Sequence, residues 1–104
     1  VSPDLTYEFR SMQSEVAAII QQIITLVEHG QINEPLVEQL RNQARNLQNR
    51  FSNYRKKIID AMQQQNTNIE AATVFLNILQ ESQQIISCLR HMLRGMLKFI
   101  TKEE

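Results

Sequence analysis

Residues 67–101 read TNIEAATVFLNILQESQQIISCLRHMLRGMLKFIT, and the fold turns on how that stretch is patterned. Ala72, Phe75, Leu79, Ser82, Ile86, Leu89, Leu93, Met96 and Ile100 recur at intervals of three and four, which puts them on one side of an α-helix. Val74, Ile78, Ile85, Cys88, Met92 and Phe99 form a second stripe beside the first. A helix that is apolar on two seams calls for two partners. Its opening, Thr67-Asn68-Ile69-Glu70, has capping-box form: the Thr67 hydroxyl accepts from the Glu70 amide, and the Glu70 carboxylate accepts from the Thr67 amide.

The preceding segment supplies one partner. Asn33 is a good acceptor for the free amides of a helix start, with Glu34 and Pro35 in the first turn, where a missing N–H costs nothing. Val37, Leu40, Ala44, Leu47, Phe51, Tyr54, Ile58 and Ala61 again alternate by three and four, and no Gly or Pro intervenes before a stop at Gln65 and Asn66. The other partner lies further back. Ser2, Pro3 and Asp4 open a helix whose stripe is Leu5, Phe9, Met12, Val16, Ile19, Ile23 and Leu26, widened by Ile20, Ile24 and Val27. His29 and Gly30 close it, a base in the last turn followed by a residue that tolerates the left-handed conformation.

Helices at about 3–29, 34–65 and 68–101, joined by short connections, make antiparallel neighbours. The expected fold is all-α, an elongated antiparallel up-down-up three-helix bundle with rods roughly 40 to 50 Å long. Two other arrangements satisfy the same pattern: helix one pairing with another copy of the chain, or a fourth helix supplied from outside it.

Composition agrees. A chain of 104 residues and 12.2 kDa holds one domain, and two Gly, two Pro and six aromatics are too few for the repeated turns of a β-sandwich. Eleven Lys plus Arg balance eleven Asp plus Glu, so the basic field that holds nucleic acid is missing. A single Cys allows no internal disulfide and fits a reducing compartment. No apolar run is long enough to cross a bilayer. The start at Val1 rather than Met suggests processing or a fragment of a longer protein.

Few residues suggest chemistry. His29 sits where a ring complements the helix dipole, and His91 lies outside both seams beside Arg90. Cys88 is on the second stripe and reads as a small hydrophobe, with no base and orienting acid to make it a nucleophile. Glu81 shares that stripe, but one carboxylate is a weak metal site and no Glu-x-x-His pair accompanies it. Arg90, Arg94, Lys98 and Lys102 recur every four residues and are the candidate interaction residues. They read as a solvated face neutralised by Glu28, Glu34 and Glu38 at the same end of the bundle, or as a contact for an anionic partner.

The run Phe75-Leu76-Asn77-Ile78-Leu79-Gln80-Glu81-Ser82-Gln83-Gln84-Ile85, which follows a polar break and a long helix carrying Tyr54-Arg55-Lys56-Lys57-Ile58-Ile59, resembles the PhoU family. More narrowly it is similar to the PhoU-like helical domain at the cytoplasmic C-terminus of bacterial sodium-phosphate cotransporters. Met12 through Val27 fits that family's first helix in length and style. The similarity covers most of the chain, and one moderately specific run carries it. It implies a non-enzymatic regulatory domain in phosphate transport, cytoplasmic and at the inner face of the cell membrane. The implied partner is a protein, either the transporter body or a second copy in a homodimer, with the membrane reached only by tethering through a segment outside Val1–Glu104. The family's metal signature is an acidic pair four residues apart in the last helix. Here those places fall on neutral Gln83 and Ser87, so the expectation is no metal and no cofactor. A free-standing helical adaptor or oligomerisation module unrelated to phosphate is the alternative reading.

Overall fold

The computed structural model describes residues 3–64 and 68–103, the side chain of Glu103 excepted. It contains three helices, α1 (Pro3–Glu28), α2 (Glu34–Gln64) and α3 (Ile69–Glu103), and no strand among the described residues. They run up, down and up in a body measuring 57 × 20 × 18 Å, the slender bundle that the spacing predicts.

Local chemistry sets the helix ends. At the close of α1 the Gly30 amide donates to the Val27 carbonyl at 3.3 Å and the Gln31 amide to the Leu26 carbonyl at 3.0 Å, a Schellman closure. Gly30 makes it possible with φ at 62°, a region that a Cβ disfavours. His29 does more than face the dipole, because its Nδ1 lies 2.9 Å from the Thr25 carbonyl. At the start of α2, Asn33 Oδ1 accepts from the Leu36 amide at 3.1 Å. Asn33→Ala removes that acceptor and should lower stability by about 1 kcal/mol. A urea midpoint unchanged by the substitution would contradict the capping role.

At the start of α3, Asn68 Oδ1 accepts from the Glu70 and Ala71 amides at 3.0 and 3.4 Å, and the Asn68 carbonyl accepts from the Ala72 amide. Asparagine is among the best residues for that position. Thr67 itself, the Ser2 cap and the stop at Gln65 and Asn66 lie outside the described residues.

One continuous core lies along the axis. Met12, Val37, Phe51, Tyr54, Ile58, Leu79, Ile86 and Leu93 are fully enclosed. One end is aromatic: Phe9 stacks on Tyr54 with ring centroids 5.8 Å apart, meets Phe75 at 5.1 Å and Phe51 edge-on at 6.4 Å. The Tyr54 hydroxyl donates to the Leu5 carbonyl at 2.5 Å, so the one polar atom in this cluster is satisfied. Ser82, the polar member of the first α3 stripe, is likewise satisfied by donating to the Ile78 carbonyl at 3.0 Å.

The second α3 stripe does not behave as a two-partner helix requires. The first stripe alone serves both neighbours, with α2 packed closest and α1 more loosely. Both neighbours fit within one wedge of the α3 circumference, so Val74, Ile78, Ile85, Met92 and Phe99 are left facing solvent.

Candidate functional site

The described residues offer little for bond-making. No group of three or more His, Cys, Asp or Glu among them stands close enough together to hold a metal ion. Gln83 and Ser87 are half-buried on α3, on the flank that also carries Arg90. Glu81 and His91 are exposed, and roughly 15 Å of helix axis separates them. Cys88 is a free, exposed thiol rather than a core residue.

Between α1 and α2 runs a groove of about 390 Å³ lined by Ala18, Gln21, Gln22, Thr25, Leu36 and Gln39 among others, with no titratable side chain in it. Further along, Glu15 and Arg50 line the same interhelical surface, but they pair with each other at 2.5 Å. These grooves can hold an apolar side chain. They have no converging acid, base or nucleophile.

The four bases of α3 separate into two kinds. Arg90 is half-buried, and its guanidinium donates to Gln48 Oε1 on α2, so it ties the two helices together. Arg94, Lys98 and Lys102 are exposed. Neutralisation within the bundle does not occur in the way the sequence suggests. Among the described residues the ion pairs are Arg41 with Glu38 at 3.6 Å, Arg50 with Glu15, and Lys57 with Glu8 at 3.3 Å. Glu38 thus pairs with Arg41, a turn away on its own helix, rather than with a base of α3.

The dominant surface feature is apolar. Val74 is 58% exposed, Ile78 45%, Ile85 47%, Met92 45% and Phe99 65%, all on one side of α3. A second row flanks it on α1, where Ile24 is 41% and Val27 58% exposed and Ile20 is half-buried. A groove of about 170 Å³ lined by Gln13, Val16, Ala17, Ile20, Ser82 and Ile85 joins the two rows. Helical spacing shows the α3 row in the sequence, but only the packing shows that no helix of this chain covers it. The α1 row facing α3 was legible only as a widening of the main stripe. No helix of the structure is long and apolar enough to cross a membrane. Compared with protein-family models, curated proteins and solved structures, the chain matches none.

Proposed function

We propose that this chain is a non-enzymatic interaction module that works by packing its α3 face, with the adjoining row of α1, against a protein partner. The observation that carries the reading is the row from Val74 to Phe99. Five large apolar side chains, each between 45% and 65% exposed, lie in line on one helix. Scattered exposed hydrophobes are ordinary on a protein surface, whereas an aligned row is an interaction surface. The absence of converging reactive groups in the grooves is consistent with binding in place of catalysis.

The narrower reading, a cytoplasmic regulatory appendage of a sodium-phosphate cotransporter-like protein, is supported by the likeness of residues 75–85 and 54–59 to the PhoU-like domain. In that reading the partner is the transporter body or a second copy, and Arg94, Lys98 and Lys102 remain exposed on the C-terminal half of α3.

Photo-crosslinking in the native cell tests the module reading. A photoreactive side chain at Ile85 or Met92 should give discrete protein adducts, and the same group at exposed Asn42 on α2 should give none. Equal, diffuse labelling from all three positions would overturn it. An adduct with a membrane protein would favour the transporter-linked version.

A further inference from the structure

The outer seam of α3 is longer and more regular than its exposed hydrophobes alone suggest. Val74, Ile78, Glu81, Ile85, Cys88, Met92, Gly95 and Phe99 follow one another at steps of four and three without a break. That is the repeat of a coiled-coil seam. Its residues alternate in size. Ile78, Ile85, Met92 and Phe99 occupy one set of positions, and Val74, Glu81, Cys88 and Gly95, smaller or polar, occupy the other. Gly95 presents no side chain, and the space beside it is open, since a Cβ built there meets no atom within 4 Å.

This alternation discriminates between ways of covering the seam. Two copies of α3 laid side by side in the same direction would put Glu81 against Glu81 and Gly95 against Gly95, a like-charge layer and a void. Laid in opposite directions about a two-fold axis between Ile86 and Ser87, each residue of the large set meets one of the smaller or polar set. Val74 faces the partner's Phe99, Ile78 the partner's Gly95, Glu81 the partner's Met92, and Ile85 the partner's Cys88. The same register puts Glu81 beside the partner's His91 and Glu70 beside the partner's Lys102, and symmetry makes each of these contacts twice. Glu70 and Glu81 lie in the first half of α3, and His91 and Lys102 in its second, so reversal is the arrangement that brings the acids to the basic end of the partner helix.

Area agrees with shape and charge. The exposed parts of the α3 row together with Ile24 and Val27 amount to on the order of 700 Å² per chain, near the roughly 800 Å² per partner of a standard interface. The α1 row adds the other wall of the groove, so the covered structure is a four-helix arrangement of α1 and α3 from each copy.

We infer that the α3 seam is the interface of an antiparallel homodimer, in which each chain seats its Val74–Phe99 row against the reversed row of a second copy. This rests on the interaction-module reading and names its partner. Sedimentation of the purified chain should show a two-fold increase in mass, with dissociation in the micromolar range or tighter. The double variant Ile85→Glu with Met92→Glu should weaken the dimer by at least about a hundredfold, because it puts four unpaired charges into the seam. Both side chains are nearly half exposed, so circular dichroism of the diluted monomer should be unchanged. Orientation is read separately with a spin label introduced by Thr73→Cys in a Cys88→Ala background. The antiparallel register separates the two labels by about 40 Å along the axis, and a parallel one brings them within about 20 Å. A monomer at millimolar concentration, a dimer indifferent to the double variant, or the short label distance would each overturn the inference. Those results leave the module reading to its own test, since crosslinks from Ile85 to a different protein would sustain that reading after self-association had failed.

Discussion

Phe51→Ala should reduce the stability of the bundle by about 3–5 kcal/mol, the largest loss expected from any single truncation in the chain. Phe51 has no exposed surface and stands edge-on to Phe9, which in turn stacks on Tyr54 and touches Phe75. Removing the ring therefore leaves a cavity beside Phe9, where aromatic side chains of all three helices meet, and a close-packed interior relaxes into such a cavity only in part. A domain of this size has a total stability of about 5–15 kcal/mol, so the variant should lose a large share of it and unfold at a clearly lower urea concentration. Val74→Ala, at 58% exposure on the outer seam, provides the contrast and should change stability by no more than about 0.5 kcal/mol in the monomer. The two are compared by urea denaturation at low protein concentration, where association adds nothing to the midpoint. A Phe51→Ala loss below about 1 kcal/mol would mean that the aromatic end is not the packing centre that its geometry indicates.

That contrast also marks where sequence reading works and where it stops. The inner stripes of all three helices were legible because a spacing of three and four admits only one arrangement on a 3.6-residue helix. Phe9, Met12, Phe51, Tyr54, Leu79 and Leu93 are accordingly enclosed. Which of two adjacent stripes on α3 turns inward is a tertiary question, and the choice leaves Ile78, Ile85 and Phe99 outside. The acceptor role of Asn68 at the start of α3 was not singled out for a different reason, since the neighbouring capping-box pattern is the stronger local signal and asparagine caps equally well. Arg90 looked like one of four equivalent bases. Its distinction is the contact with Gln48, forty-two positions away, and nothing in a local window encodes that pair. The candidate site was thus visible as composition, an apolar row with a basic end, but not as a surface. Exposure follows from how α1 and α2 sit on α3.

Above pH 10 the native chain should lose the part of its stability that rests on the neutral phenol of Tyr54. Burial, with a smaller contribution from the negative charge of Glu8, pushes the Tyr54 phenol from its ordinary 10.0 up to about 12. In the unfolded chain the same phenol ionises near 10. Its raised value in the fold means that the folded state prefers the neutral form. The stabilisation is therefore complete below pH 10 and disappears as pH rises from 10 through about 12. At about 1.36 kcal/mol for each pH unit of separation, the loss approaches roughly 2–3 kcal/mol. Lysines titrate in the same range, so the decisive quantity is the difference between the native chain and Tyr54→Phe. At pH 7 the variant should be less stable by about 1 kcal/mol, having lost the hydrogen bond to the Leu5 carbonyl. From pH 10 upward that deficit should shrink and then reverse, because the substituted ring carries no ionisable proton, while every lysine is common to both chains. In a Tyr7→Phe background, where Tyr54 is the remaining tyrosine, phenolate absorbance should appear together with unfolding rather than before it. A stability difference that stays constant from pH 7 to about 12 would place the Tyr54 hydroxyl in water and remove the link between its hydrogen bond and the packing of α1 on α2.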